Sequence, residues 1–328
     1  MAIFLKNVPS DFDSPTALPK DREQSRAWQD ANRSFWENNP MRYDWRDRVS
    51  YPEFSREFFE EIDGRFFAAA REYLPWREIP FDSLIDFPSL HDKDVLEIGV
   101  GSGSHAGLLA QHARSFVGID LTEYAVKSTS HRLERFGLPG KVVCMDAEKL
   151  TFADASFDFV WTWGVIHHSS NTRRILEEIH RVLRPGGSAI TMVYNRSFWH
   201  YYVFGILFHG VILGDLLKTR SIHKTVQSCT DGGIARYYTV REWIDLTYDL
   251  FSVREARVVG TKAQFFPIPG GRFKDAIMRM TPDRATRFVT NRLRQGSFLV
   301  SVLDKPRSRA LSVGAATRDA ADASGALS

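Results

Sequence analysis

From about Lys93 the chain alternates short apolar runs with amphipathic segments, the pattern of a parallel sheet covered by helices. The first run, Asp94-Val95-Leu96-Glu97-Ile98, leads directly into Gly99-Val100-Gly101-Ser102-Gly103. A helix with Leu108, Leu109 and Ala113 on one face is predicted next, and then a strand, Phe116-Val117-Gly118-Ile119-Asp120. Thr122 is placed to cap a helix in which Val126, Thr129, Leu133 and Phe136 recur at helical spacing, until Gly137 and Pro139 end it. Lys141 to Met145 predicts a third strand and Phe157 to Trp163 a fourth. The helix from about Asn171 to Leu183 turns Ile175, Leu176, Ile179, Val182 and Leu183 inward, and Pro185-Gly186-Gly187 stops it before a fifth strand, Ser188 to Tyr194.

Upstream, Phe54, Phe58, Ile62, Phe66 and Ala70 form an apolar stripe, which predicts an amphipathic helix over Glu53 to Leu74. Downstream, Phe198 to Leu217 is apolar over about the length a bilayer requires. His200, His209, Asp215 and internal glycines argue against a transmembrane span. The segment reads as buried or lid helices, with peripheral lipid contact as the alternative. Thr239 to Leu250 reads as helix, and Phe251 to Val259 and Ser297 to Leu303 as the sixth and seventh strands, the last antiparallel. The expected organisation is a helical cap over 1–92, a core over 93–195, an aromatic helical insertion over 196–236, the last strands over 237–305, and a disordered tail over 306–328.

A chain of 328 residues, 43% hydrophobic, can bury a large core without disulfides or metals. Its 43 basic and 40 acidic residues leave a formal charge of +3, with no lysine or arginine block, so a nucleic-acid partner is not expected. Cys144 and Cys229 are the only cysteines, which excludes a disulfide framework and a cysteine-rich zinc site and fits a reducing cytoplasm. Met1 to Lys20 has no apolar run of signal-peptide length. Monomer and homodimer are both compatible with the sequence.

A glycine turn between strand and helix lets backbone approach a ligand, because a side chain at Gly101 or Gly103 would fill that space. Asp120, at the end of the second strand, can accept both hydroxyls of an adenosine ribose. The sixth position of a dinucleotide fingerprint is occupied by Ser104 rather than glycine. The run Val95-Leu96-Glu97-Ile98-Gly99-Val100-Gly101-Ser102-Gly103 instead resembles the first motif of class I S-adenosylmethionine-dependent methyltransferases of small-molecule type. Later landmarks of that family follow in order: Asp146-Ala147, Ser156-Phe157-Asp158-Phe159-Val160, Trp163-Gly164-Val165-Ile166-His167-His168, and Arg181-Val182-Leu183-Arg184-Pro185-Gly186-Gly187.

The resemblance, over roughly Lys93 to Tyr194, implies a Rossmann-like α/β fold with a seven-stranded, mostly parallel sheet and S-adenosyl-L-methionine as cofactor. It implies that Glu97, Gly99, Gly101 and Gly103 hold the methionine end, Asp120 and Leu121 the ribose, and Asp146 and Ala147 the adenine. Trp163 would floor the site beside the sulfonium, or simply pack in the core. His168, then His167, are the candidate bases at the carboxyl edge of the sheet, with hydrogen bonding to backbone as the competing role. No metal site is read from this histidine pair.

Trp36, Met41, Tyr43 and Trp45, with His200, Tyr201, Tyr202 and His209 of the insertion, are candidates to close over substrate. Their aromatic character suggests an apolar or flat small molecule, such as a ring compound, a prenylated quinone or a polyketide. Other readings stay open: an enzyme using the same cofactor for another reaction, a catalytically silent partner subunit, and a nicotinamide dehydrogenase.

Overall fold

The computed structural model describes residues 8–44, 47–266 and 271–307. Two helices come first, α1 (Arg22–Asn38) and α2 (Arg56–Tyr73). The α/β unit then runs β1 (Asp94–Ile98), α3 (Ser104–His112), β2 (Ser115–Asp120), α4 (Glu123–Phe136), β3 (Lys141–Cys144), β4 (Phe157–Trp163), α5 (Thr172–Val182) and β5 (Leu183–Asn195). An insertion helix (Phe198–Ile212), α6 (Asp215–Thr219) and α7 (Ile222–Ser228) follow. The chain returns to the sheet through β6 (Tyr237–Tyr238), α8 (Val240–Thr247) and β7 (Ser252–Val259). The last elements are α9 (Lys262–Phe265), α10 (Arg272–Met280), α11 (Asp283–Arg287) and β8 (Phe298–Asp304).

The sheet order is β3-β2-β1-β4-β5-β8-β7, with the two-residue β6 pairing on β5. β1 to β5 are parallel, and β8 enters antiparallel between β5 and β7. This is the expected Rossmann-like, mostly parallel fold, with the short β6 added to the seven expected strands. One face of the sheet buries Phe66 and Ala70 of α2 with Leu109 of α3 and Phe116. The other buries Ile175, Ile179 and Val182 of α5 with Trp243 of α8. Each such large side chain contributes about 1.5 to 3 kcal/mol on burial, which fixes the strand ends that carry the loops.

Local chemistry sets the boundaries. Ser55 Oγ accepts the Phe58 amide at 3.1 Å, so α2 starts at Arg56, and Phe54 stands before the helix rather than on its stripe. Thr122 caps α4 by accepting the Ala125 amide, and Gly137 ends that helix in the left-handed region. The inward face of α3 is Ala106, Leu109 and Ala110, whereas Ala113 lies beyond its end and Leu108 is only partly buried. The small alanines let this nine-residue helix sit close on the sheet. Pro185-Gly186-Gly187 does not precede β5 but lies within it, where the pairing with β4 shifts between Phe157 and Phe159. The Gly186 amide donates to Lys305 and the Lys305 amide to Gly187, both at 2.9 Å, so the turn also anchors the end of β8.

The apolar segment from Phe198 is one helix as far as Ile212, where the Leu213 amide donates five residues back to Phe208, and Gly214 then turns the chain into α6. Fifteen residues span about 22 Å even at an α-helical rise, short of a bilayer core of about 30 Å. Among the described residues no helix is long and apolar enough to cross a membrane. The tail expected to be disordered lies, from residue 308, outside the described residues.

Candidate functional site

A cavity of about 660 Å³ runs along the carboxyl edge of the sheet, beneath α1 and the insertion helix. The turn after β1 forms one wall. Gly101 lies at φ +54°, and a Cβ built there would meet no protein atom within 4 Å, so its missing side chain leaves open room. Gly103 differs from the expectation: a Cβ there would strike Arg132 and Thr129 of α4 at 2.9 Å. Its smallness serves helix packing rather than ligand space, and it is absent from the lining, whereas Gly99 and Gly101 line it.

Asp120 is tied to the same turn. Its Oδ2 accepts the Gly101 amide at 3.1 Å, and its Oδ1 accepts the Thr122 amide at 3.0 Å and the Thr122 hydroxyl at 2.9 Å. Burial raises the Asp120 carboxyl above its ordinary range, against the pull of those donors. The Leu121 amide also favours the charged carboxylate, so a ligand hydroxyl would have to share or replace one of these donors. Leu121, Asp146 and Ala147 complete this end of the cavity.

Asp146 carries a feature that the sequence did not signal. Its Oδ1 accepts the Glu148 amide and the Gln29 side-chain amide of α1, each at 2.9 Å. Gln29 Oε1 in turn accepts the Ser170 amide at 2.9 Å, and Glu37 of the same helix accepts the Glu123 and Tyr124 amides at the start of α4. α1 is therefore latched across the ends of β3 and β4 by polar bonds, while Phe12, Trp28 and Ile234 form a separate apolar cluster behind it.

Glu97 does not reach the cavity wall. It is buried, with Oε1 3.9 Å from Nδ1 of His105, which does line the cavity, and Oε2 has no hydrogen-bond partner. Burial, reinforced by Asp120, pushes the Glu97 carboxyl well above its ordinary range. Burial, with the Arg132 charge, pulls the His105 imidazole down to about 3. Trp163 lines the cavity and stacks on Trp161 at 5.1 Å, so it serves wall and core together.

The histidine pair splits. His168 lines the cavity, edge-on to Trp36, with Nδ1 2.8 Å from the Ile234 carbonyl. A carbonyl only accepts, so Nδ1 carries a hydrogen, which makes Nε2 the nitrogen able to exchange a proton. The approach depends on Gly232, where a Cβ would lie 2.3 Å from His168 Nδ1. His167 is fully buried behind the lining, its ring 4.0 Å from that of Tyr194, and neither ring nitrogen has a hydrogen-bond partner. Burial, then the neighbouring His168 and Arg236, holds it well below the ordinary histidine value.

At the other end, Trp36, Met41, Tyr43 and His200 line the cavity, with Tyr194, Asp231 and Tyr237 beside them. The Tyr194 hydroxyl donates to Asp231, and the Tyr237 hydroxyl lies 2.6 Å from that of Thr230. Burial pulls the His200 imidazole down to about 4. Tyr201 is off the wall, buried with its hydroxyl 3.0 Å from His223 Nδ1; Tyr202 is exposed, and His209 is buried 3.9 Å from Asp215. Trp45 lies outside the described residues. The Tyr194–Asp231 pair was missed because its members are 37 residues apart and neither belongs to a recognisable motif.

Residues 96–191 match the family described as a methyltransferase domain. This part of the chain is thus similar to methyltransferase domains, in line with the motif resemblance. The phthiotriol/phenolphthiotriol dimycocerosates methyltransferase of Mycobacterium tuberculosis is 42% identical over 101 residues, 30% of this chain and 36% of that protein. The chain thus matches only about a third of that relative's length. The ubiquinone biosynthesis O-methyltransferase of Coxiella burnetii is 28% identical over 177 residues, 49% of this chain and 75% of that protein. Among solved structures, geranyl diphosphate C-methyltransferase from Streptomyces coelicolor, in complex with Mg²⁺, geranyl diphosphate and S-adenosyl-L-homocysteine, superposes over 88% of this chain and 100% of its own. With a TM-score of 0.52 and 12% identity, that likeness concerns the fold.

Proposed function

We propose that this protein transfers a methyl group from S-adenosyl-L-methionine to a small, apolar or aromatic acceptor. The observation that carries the reading is the direct bond between the Gly101 amide and Asp120, which joins an open backbone turn to a buried carboxylate at one end of a cavity. The residues fit the cofactor on physical grounds: open space at Gly101, and a buried carboxylate, Asp120, that lines the cavity beside it. Gly99 and Gly101 would hold the amino-acid end, Asp120 and Leu121 the ribose, and Asp146 and Ala147 the adenine, with Glu97 buried behind the turn.

When bound, the cofactor supplies a methyl group on a sulfonium, a leaving group that needs no further activation. The protein's share is alignment, exclusion of water and handling of the acceptor's proton. His168 Nε2 takes a proton from an acceptor hydroxyl, and the Ile234 carbonyl orients the ring by accepting from Nδ1–H. Asp231, through Tyr194, orients a polar group of the acceptor, and Trp36, Tyr43, Trp163 and Phe204 supply the apolar walls. The names of the two curated relatives, one acting on dimycocerosates and one in ubiquinone biosynthesis, support an apolar acceptor.

The test is incubation of the full chain with S-adenosylmethionine and a panel of phenols, quinols, polyketide alcohols, aromatic amines and compounds with an acidic carbon, read by mass. Equal yields of S-adenosylhomocysteine and a product heavier by one methyl group support the reading. Cofactor binding with no methylated product across hydroxyl, amine and carbon acceptors would count against it.

A further inference from the structure

Helix α10 is oriented against the usual rule for an amphipathic helix. Its apolar residues Phe273 and Met280, seven apart and so on one face, are 73% and 83% exposed, whereas Lys274 is its one buried residue and lines the cavity. The segment from Arg272 to Arg294 carries seven cations against two acids, Asp275 and Asp283, and Asp283 is already paired with Lys262. Arg272, Arg279, Arg284, Arg292 and Arg294 are exposed, as are Phe288 and Leu293 among them.

The insertion helix and α6 likewise expose apolar residues, beside two cations, of which Lys218 is paired with Asp215. Phe198 is 68% exposed and Leu217 of α6 84% exposed, and Val211, Ile212 and Leu213 are exposed between them, followed by Lys218 and Arg220. The short helix α9 links the two regions: Lys262 Nζ donates to the Met278 and Thr281 carbonyls at the end of α10, while Phe265 stacks on Trp199 and accepts its indole N–H at 3.0 Å. Water gains nothing from large apolar side chains presented among exposed arginines. A bilayer interface with anionic headgroups satisfies both kinds of group at once, apolar tips entering the acyl boundary and guanidinium groups meeting phosphate.

We propose that α10, the 288–294 segment and the exposed side of the insertion helix form a docking surface for an anionic lipid bilayer. The surface lies outside the cofactor site and stands apart from the methyl-transfer reading. It gains a use from that reading, because α10 presents its apolar side outward and Lys274 toward the cavity, which would bring a membrane-dissolved acceptor to the site.

The test is flotation of the full chain with phosphatidylcholine vesicles and with vesicles that also contain phosphatidylglycerol. Partition onto the anionic vesicles at least roughly tenfold above the neutral ones, weakened by salt, is expected. Phe273→Glu/Met280→Glu and, separately, Arg279→Glu/Arg284→Glu should each lower that partition roughly tenfold or more, with unchanged melting temperature and unchanged S-adenosylhomocysteine affinity. A wild-type chain that stays off anionic vesicles overturns the proposal, including the case in which residues beyond 307 cover the face. Equal vesicle binding by the variants overturns it as well. So does a dimer in gel filtration that Met280→Glu dissociates, since the face would then belong to a second copy. Cofactor affinity is read in the same samples, so failure of the surface is distinguishable from failure of the cofactor site.

Discussion

Gly232→Ala tests how the candidate base is held. The residue sits at φ +82°, where a side chain costs about 1 to 2 kcal/mol, and its Cβ would lie 2.3 Å from His168 Nδ1 and 2.7 Å from Cε1. The ring must move off, which forfeits the Nδ1–H bond to Ile234, about 1 kcal/mol. The expected destabilisation is therefore about 2 to 3 kcal/mol. Turnover on a hydroxyl acceptor should fall by about 10²-fold or more, the usual contribution of a positioned general base. A double-mutant cycle separates the two costs: with His168→Ala the clash with the ring disappears, so Gly232→Ala then costs only the backbone strain and the 3.1 Å approach to the Ile234 carbonyl. Denaturant melts give the stability terms and initial rates the kinetic ones. Additive effects on stability, or normal turnover in the single variant, would refute the idea that Gly232 exists to admit the imidazole.

Three further outcomes are expected. Glu97 has a folded-state carboxyl raised by burial, so stability falls as pH rises from its unfolded value of about 4.5 toward the folded value; Glu97→Gln should raise the melting temperature of the ligand-free protein at pH 8, with the gain vanishing near pH 4 in calorimetric scans. Gln29→Ala removes the bonds from α1 to Asp146 and from Ser170 to α1, at a cost of about 2 kcal/mol, and should speed cofactor release in stopped-flow fluorescence without moving the melting temperature by more than roughly 8 °C. Asp231→Asn should lower kcat on hydroxyl acceptors while leaving cofactor affinity unchanged in calorimetry, because Asp231 meets Tyr194 and not the glycine turn.

What could be read from the sequence was what is local. Strand β4 was delimited correctly, and Asp94 to Asp120 gave the glycine turn and its acid, because apolar runs and caps act within one element. The Pro-Gly-Gly turn was misread because its place inside β5 depends on Lys305, more than a hundred residues away. Gln29 looked like any polar helix residue, and only the fold reveals its bond to Asp146. The same holds for α10: its amphipathic pattern cannot say which face turns inward, and here the lysine does. The arginines between 272 and 294 were diluted by intervening residues and form no run, so the near-neutral total concealed them.

Isothermal titration of the full chain and of Asp120→Ala with S-adenosylhomocysteine tests the central claim most directly. The account predicts one-site binding to the wild-type chain, weakened by about 1 to 3 kcal/mol in the variant, or roughly 5- to 150-fold in Kd, as expected for lost hydrogen bonds to a charged acceptor. No binding heat in the wild-type protein, or equal affinity in the two proteins, would contradict it.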